Sequence, residues 1–365
     1  MTEPSAAIAS GSKTMSPDTA VTAGAARRLC ADLLEAAGMP ESSAERTAWA
    51  LVTAEAWGLG SHGLLRLPFY LRRFADGGTD PAASLRLVSD TPATAAYDGG
   101  NGLGHWQVFH AAQQATAKAR ATGIAMVSVG NSGHCGSLGL YTLPMLDAGL
   151  VGLVFSNGPA VMPPWGGRAP LLSTSPIAAG IPTTPRPSIV DLATSAVARG
   201  TIAQHQASST PLEPGWAFDA AGQPTLDPAE ALTGMLAPMG GAKGYALAFL
   251  VEALTGALVG PNLAGDVADP LSDASAGTPQ RLSHLVIAID PGSADSDGNA
   301  RRRLRDLAER ALAAGGRPPG WNRRFGADLP DDEPLPVAPA TVAKLVAAAA
   351  AAGVHVPSAW AAWAT

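Results

Sequence analysis

Three short stretches hold most of the side chains capable of chemistry. Ser61-His62-Gly63, with Arg66 one turn further on and Tyr70 four residues beyond it, makes a polar corner. An arginine grips a carboxylate through two parallel hydrogen bonds, so this corner suits a small organic acid. Positions 66 and 70 share a face if a helix begins near Leu64. The plainer reading is that Ser61 caps that helix and Arg66 pairs with a surface acid. The second stretch, Gly130-Asn131-Ser132-Gly133-His134-Cys135-Gly136, sets a histidine among glycines at the end of an apolar run. With nothing bulky beside it in sequence, His134 is placed to face a cleft and exchange a proton near neutral pH. The plainer reading there is a loop histidine bonded to backbone. The third stretch, Gly240-Gly241-Ala242-Lys243-Gly244-Tyr245, puts backbone amides and a lysine at the start of an apolar helix. Such a start suits an anion such as a phosphate. It lacks the spacing of a P-loop, so nucleotide hydrolysis is not indicated.

The letters GLGSHG, residues 58–63, also spell G-x-G-x-x-G. In a dinucleotide-binding turn, a strand delivers the first glycine and a helix receives the last. Here the motif follows a helical pattern over 44–57, with no β-branched run before Gly58. The dinucleotide reading fails at this place, and Ser61, His62 and Arg66 become its informative letters.

The elements that must hold these residues follow from periodicity. Residues 17–57 read as two helices broken at Gly38-Met39-Pro40, the first capped by Asp18 or Thr19, and a third helix covers 64–74. A strand over 94–97, a turn at Asp98-Gly99-Gly100-Asn101-Gly102, a helix over 104–122 and a strand over 124–129 make a strand–helix–strand unit. Strands follow at 151–155, 176–181 and 188–192, and residues 203–236 read mostly as loop. The helix over 243–259 is apolar nearly all round, which predicts deep burial. A strand at 284–289 and helices at 301–314 and 341–352 complete the chain. The organisation expected is a tail over 1–15 that is disordered, a larger helical and mixed part and a smaller α/β part. The larger part takes residues 16–90, 131–242 and 316–365; the smaller takes 91–130 and 243–315.

Composition narrows the class. Hydrophobic residues make up 47% and charged residues 15% of 365 positions, which favours a well-buried globular chain. Net charge is −6, and Arg301-Arg302-Arg303-Arg305 is flanked by Asp306 and Glu309, so the basic cluster decorates a helix face and nucleic acid is excluded as a partner. Cys30 and Cys135 make no disulfide framework and no CxxC pair, and no spaced histidine pair suggests a metal. The apolar run over 245–259 contains Glu252 and is too short to span a bilayer. A soluble, cytoplasmic protein is expected, with no membrane partner.

Taken in order, "SHGLLRLPFY", "GNSGHCGSLGLYT", "STSPIAAGIP", "DLATSAVARG", "PGWAFDAAGQPTLDP" and "GGAKGYALAFLVEALTGALVG" resemble the malate/L-lactate dehydrogenase family of NAD(P)-dependent oxidoreductases. The match is weaker through "PPGWNRRF". The resemblance implies an α/β (α+β) class with the sulfolactate-dehydrogenase-like non-Rossmann fold, in a homodimer. It implies NADPH or NADH as cofactor, no metal, and hydride transfer to or from a small 2-oxo or 2-hydroxy acid or a cyclic imine 2-carboxylate. His134 would then be the proton donor. Ser61, His62, Arg66, Tyr70 and Thr174 would meet the substrate, with Arg66 at its carboxylate. Asn157, Gly158, Asp191, Leu192, Ala193, Lys243 and Gly244 would meet the cofactor. Three departures sit near these positions. Ser173-Thr174-Ser175-Pro176 stands where the family has Gly-Thr-Asn-Pro, Ala242 stands before Lys243 where many members have His, and Gly200-Thr201 stands where they have Gly-Lys. They motivate an alternative, a catalytically inactive member that binds cofactor or ligand only.

Overall fold

Capping and turn residues account for where the helices begin and end. The computed structural model describes residues 21–270, 272–293, 295–323, 329–358 and 360; the expected tail over 1–15 and the caps at Asp18 or Thr19 lie outside them. Helix α1 (Ala23–Ala36) is capped by Thr22, whose side chain accepts from Ala25 N at 3.4 Å. It is followed by α2 (Glu41–Ala56) and α3 (Leu67–Ala75). Two single 3-10 turns, Gly60–His62 and Leu64–Arg66, delay α3 beyond the start expected at Leu64.

Strands β1 (Arg86–Asp90) and β2 (Thr94–Asp98) lead into α4 (Gly104–Thr122) and β3 (Ile124–Ser132). Gly123, left-handed at φ +83°, ends α4 where a side chain would be strained. Val108, Ala111, Ala112, Ala115 and Ala119 repeat at three- and four-residue intervals and form its buried face. The chain continues through α5 (Leu143–Asp147), β4 (Val151–Ser156), β5 (Ile177–Ile181) and β6 (Ser188–Leu192). The span expected as loop instead holds α6 (Arg199–Ser208), the short strands β7 (Ala217–Phe218), β8 (Pro224–Thr225) and β9 (Met235–Leu236), and α7 (Pro228–Thr233). These elements are two to ten residues long, too short for periodicity to show. Helices α8 (Ala242–Glu252), α9 (Ala300–Ala313) and α10 (Pro339–Ala352) and strand β10 (Leu282–Ile289) follow.

Seven strands form one sheet in the order β1-β2-β3-β10-β4-β5-β6. Strands β2 and β3 are parallel, as the crossover through α4 requires, and the other neighbours are antiparallel. The sheet crosses the boundary expected at residue 130: β4, β5 and β6, assigned there to the larger part, pair onward from β10. Strand β10 reaches the middle of the sheet from more than 120 residues away, a pairing no local pattern encodes. One core lies between α4 and the sheet; a second joins α1, α2, α3 and α10 around Leu29, Leu33, Leu64 and Leu345.

Helix α8 corrects the expectation of deep burial. Only Gly244, Ala248, Val251 and Glu252 are buried, while Leu247, Phe249 and Leu250 are exposed. An apolar circumference says that a helix tolerates burial on every side; it does not supply neighbours for every side. The arginine cluster lies along α9 as expected, with Arg302 paired to Asp306 and Arg303 to Asp295 and Asp297. No helix among the described residues is long and apolar enough to cross a membrane.

Candidate active site

The GLGSHG turn is shaped from beneath by Glu55, near the end of α2. Its carboxylate accepts the Leu64 N–H at 2.9 Å. A Cβ on Gly63 would collide with the same oxygen, and one on Gly60 would crowd the other at 3.2 Å. Two of the motif's glycines therefore make room for a buried carboxylate. Burial pushes the Glu55 carboxyl up, and the Leu64 hydrogen bond pulls it back. Glu55 was missed in sequence, where it is one of several polar letters in the helix. Above the turn, Ser61 Oγ lies 3.0 Å from His62 Nδ1, and Arg66 Nε donates to Ser61 O at 2.7 Å. Among the described residues the terminal nitrogens of Arg66 have no hydrogen-bond or ion-pair partner, and its side chain is half-buried. The backbone clasp of Nε aims the fork without occupying it.

His134 follows the end of β3. Strand β3 runs on to Ser132, past the expected end at 129, so the histidine leaves a strand that β10 holds. Tyr70, fully buried on α3, brings its hydroxyl to 2.7 Å from His134 Nδ1. The Gly136 N–H donates to the same nitrogen at 3.3 Å. A backbone amide only donates, so Nδ1 carries a lone pair and the ring is neutral with its proton on Nε2. Burial lowers the His134 pKa well below the ordinary value, and Arg66 and the neighbouring histidines lower it further. Its ring stacks 6.1 Å from that of His62. The expectation that nothing bulky surrounds His134 holds along the chain and fails in space, because α3 and α4 supply the neighbours.

Two further histidines support this group and were missed. His105, in the first turn of α4, is 1% exposed, packs edge-on to Tyr70 at 5.2 Å, and has no hydrogen-bond partner on either ring nitrogen among the described residues. His284, fully buried in β10, lies 3.1 Å from Gly133 O through Nε2 and 2.9 Å from Ser156 Oγ through Nδ1. A carbonyl only accepts, so Nε2 carries the proton and holds the backbone just before His134. Its one sequence signal was a histidine inside an apolar strand. Burial depresses His105 to about 3, aided by His62, His284 and Arg66, and His284 to about 4, against the Gly133 bond that favours the charged form. Both folded values lie below the unfolded value of about 6.5, so the unfolded chain takes up protons first as pH falls. Their contribution is intact above about pH 6.5 and is lost as pH falls toward about pH 3, with a slope of up to about 2.7 kcal/mol per pH unit for two protons down to about pH 4 and half that below it. Urea unfolding across that window should show the midpoint falling; a flat midpoint would contradict neutral burial.

The residues expected at the cofactor lie just past β4, at the end of β6 and at the start of α8. Asn157, just past β4, donates to Asn262 O at 3.0 Å and accepts from Ser283 N at 2.9 Å. Gly158 faces Ser173, whose Oγ accepts from Ser175 N at 2.9 Å. Ser175 is fully buried at φ +42°, a left-handed position that asparagine tolerates better, which locates the physical consequence of that departure. Thr174 O accepts from both Thr194 N and Thr194 Oγ1. Met239 N donates to Thr194 O, which ties this ridge to the start of α8. Leu192 is exposed and Ala193 half-buried. Asp191 does something more specific: its carboxylate accepts from Ser137 Oγ at 2.6 Å and Gly139 N at 3.1 Å, bracing the loop beyond His134.

At α8, Gly240 and Gly241 are left-handed, and Gly244 packs so tightly on Met239 O that no Cβ fits. No side chain among the described residues caps the helix, and Lys243 is exposed beside its start. An uncapped positive helix end with a free lysine fits the phosphates of a nicotinamide cofactor. Two hollows, about 360 Å³ beside Ala56 and Glu333 and about 300 Å³ beside Asp80 and Asp98, are lined by neither His134, Arg66 nor Lys243.

Known proteins resemble this chain in sequence and fold. Residues 21–346 match the family model for malate/L-lactate dehydrogenase. The chain is 39% identical to (2R)-3-sulfolactate dehydrogenase (NADP(+)) of Chromohalobacter salexigens, over 73% of this chain and 79% of that protein. It is 38% identical to Delta(1)-pyrroline-2-carboxylate reductase of Ancylobacter novellus, over 77% and 82% respectively. The crystal structure of delta1-piperideine-2-carboxylate reductase from Pseudomonas syringae superposes with a TM-score of 0.81 at 30% identity, covering 89% of this chain and 98% of the other. With the matched span taking in both histidine-bearing turns and the start of α8, the chain belongs to the malate/L-lactate dehydrogenase family.

Proposed function

We propose that this protein passes hydride between NADPH or NADH and a small 2-oxo or 2-hydroxy acid or a cyclic imine 2-carboxylate, with His134 handling the proton. That it is an NAD(P)-dependent oxidoreductase follows from its family. The observation that carries the rest is the Tyr70–His134 hydrogen bond beside an Arg66 fork aimed by its Nε bond to Ser61 O. Arg66 takes the substrate carboxylate, with Ser61, His62 and Thr174 around it. Lys243 and the start of α8 hold the cofactor phosphates, with Asn157, Gly158, Gly244 and the 191–193 turn beside them. The bound nicotinamide supplies the hydride chemistry. Carboxylate binding neutralises the guanidinium that helps hold His134 uncharged, so its proton affinity rises when substrate arrives. Tyr70 can then turn from donor to acceptor at Nδ1, because a hydroxyl serves both roles.

A homodimer is part of the same reading, supported by the exposed Leu247, Phe249 and Leu250 on α8; sedimentation as a monomer would remove it. So is a cytoplasmic location, supported by two buried, unpaired cysteines. The test is NAD(P)H oxidation followed by fluorescence against a panel of 2-oxo acids and cyclic imine carboxylates. Turnover of at least one supports the reading. Cofactor binding without oxidation across the panel points instead to an inactive binder.

A further inference from the structure

Arg323, in the segment after α9, lies between the residue that precedes the GLGSHG turn and the carboxylate that holds the loop beyond His134. Its backbone is fixed on β6: Ile189 N donates to Pro319 O at 2.9 Å, Arg323 N donates to Gly320 O at 2.8 Å, and Arg186 donates to Arg323 O at 2.7 Å. Its guanidinium lies 4.9 Å over the ring of Trp57, the residue that ends α2 and precedes GLGSHG. On the other side Nη1 is 3.8 Å from the Asp191 carboxylate, with the two side chains only 13% and 12% exposed. Gly139 makes room for that pair: a Cβ there would come within 2.8 Å of Nη1 and 2.9 Å of the carboxylate. Asp191 in turn holds Ser137 Oγ and Gly139 N, three and five residues past His134.

We propose that Arg323 is a positioning residue that clamps the GLGSHG turn and the His134 loop to one another through Trp57 and Asp191. The proposal rests on the reading of those two turns as the substrate site. The physical case is that each contact needs the other side chain in place. A nearly buried Asp191 loses its nearby cation if Arg323 is removed, and then has less reason to keep its grip on the 137–139 turn. The stacked plane over Trp57 is available to a guanidinium and poorly copied by an ammonium. Among the described residues Nη1 has no hydrogen-bond partner, so the clamp acts by charge and stacking.

The test compares Arg323→Met and Arg323→Lys with the unaltered protein by amide hydrogen exchange and by steady-state kinetics. In Arg323→Met, exchange should rise at residues 58–66 and at 133–139 together, with NAD(P)H binding kept within about threefold. The kcat should fall by about tenfold or more, since a misplacement of about 1 Å costs up to about 10²-fold. Arg323→Lys should recover the 133–139 protection, through its charge, but not that of 58–66. Faster exchange in neither turn, or in only one, for Arg323→Met overturns the clamp. So does a kcat that stays unchanged. Should the Met variant not fold, a lysine variant with both turns protected as in the unaltered protein overturns it equally. If the unaltered protein turns over nothing in the panel, the functional reading fails, and the exchange data still decide the clamp.

Discussion

Replacing His134 by alanine should lower kcat by about 10²–10⁴-fold, the usual worth of a positioned proton donor, while NAD(P)H affinity stays near that of the unaltered protein. The separation is expected because His134 lies with Tyr70, His62 and His105, whereas Lys243 and the start of α8 are tied to the ridge at Thr194. The pH dependence sharpens the expectation. In the free enzyme, burial and Arg66 keep the ring neutral at ordinary pH. For reduction, which consumes a proton, kcat/KM should already be falling with rising pH below neutrality. The kcat, which reports the substrate complex, should hold to higher pH because a bound carboxylate offsets Arg66. Identical profiles for the two parameters would sink the linkage between Arg66 and His134. An unchanged kcat in the alanine variant would sink the proton role itself.

The second large effect is at Arg66. Lysine keeps the charge but not the planar fork, and it cannot reproduce the Nε bond to Ser61 O that aims the group. Loss of a charge-assisted pair is worth about 1.5–3 kcal/mol, so kcat/KM should fall by about 10- to 150-fold, chiefly through KM. Because Arg66 also depresses His134 by its charge, Arg66→Met should shift the kcat/KM profile to higher pH, whereas Arg66→Lys should not. A KM within twofold of the unaltered protein in both variants would place the carboxylate elsewhere.

How much of this site was legible in the chain differs from residue to residue. Ser61, His62, Arg66, Tyr70 and His134 stood out because polar side chains were gathered among glycines, and the structure brings them together. The reason for the glycines was not legible. Gly63 answers to a carboxylate eight residues earlier, and Gly139 to a pair formed by residues 191 and 323. His105 and His284 were invisible for a related cause. A buried histidine is recognisable only when the groups beside it are known, and theirs come from α3, β3 and β4.

The fold divides along the same line. Helix α4 could be read to the residue and strand β3 from its first residue, though not its last, since helix period, a terminal glycine and β-branched composition act between near neighbours. Helices α1, α2 and α10 were readable for the same reason. The insertion of β10 between β3 and β4 and the half-exposed state of α8 were not. Pairing partners and burial depend on which distant surfaces meet, and a period in the chain marks which face is apolar without naming what covers it. Local chemistry thus settles the helices, turns and reactive side chains. Long-range packing settles which of those side chains share a site, and which charges are held neutral there.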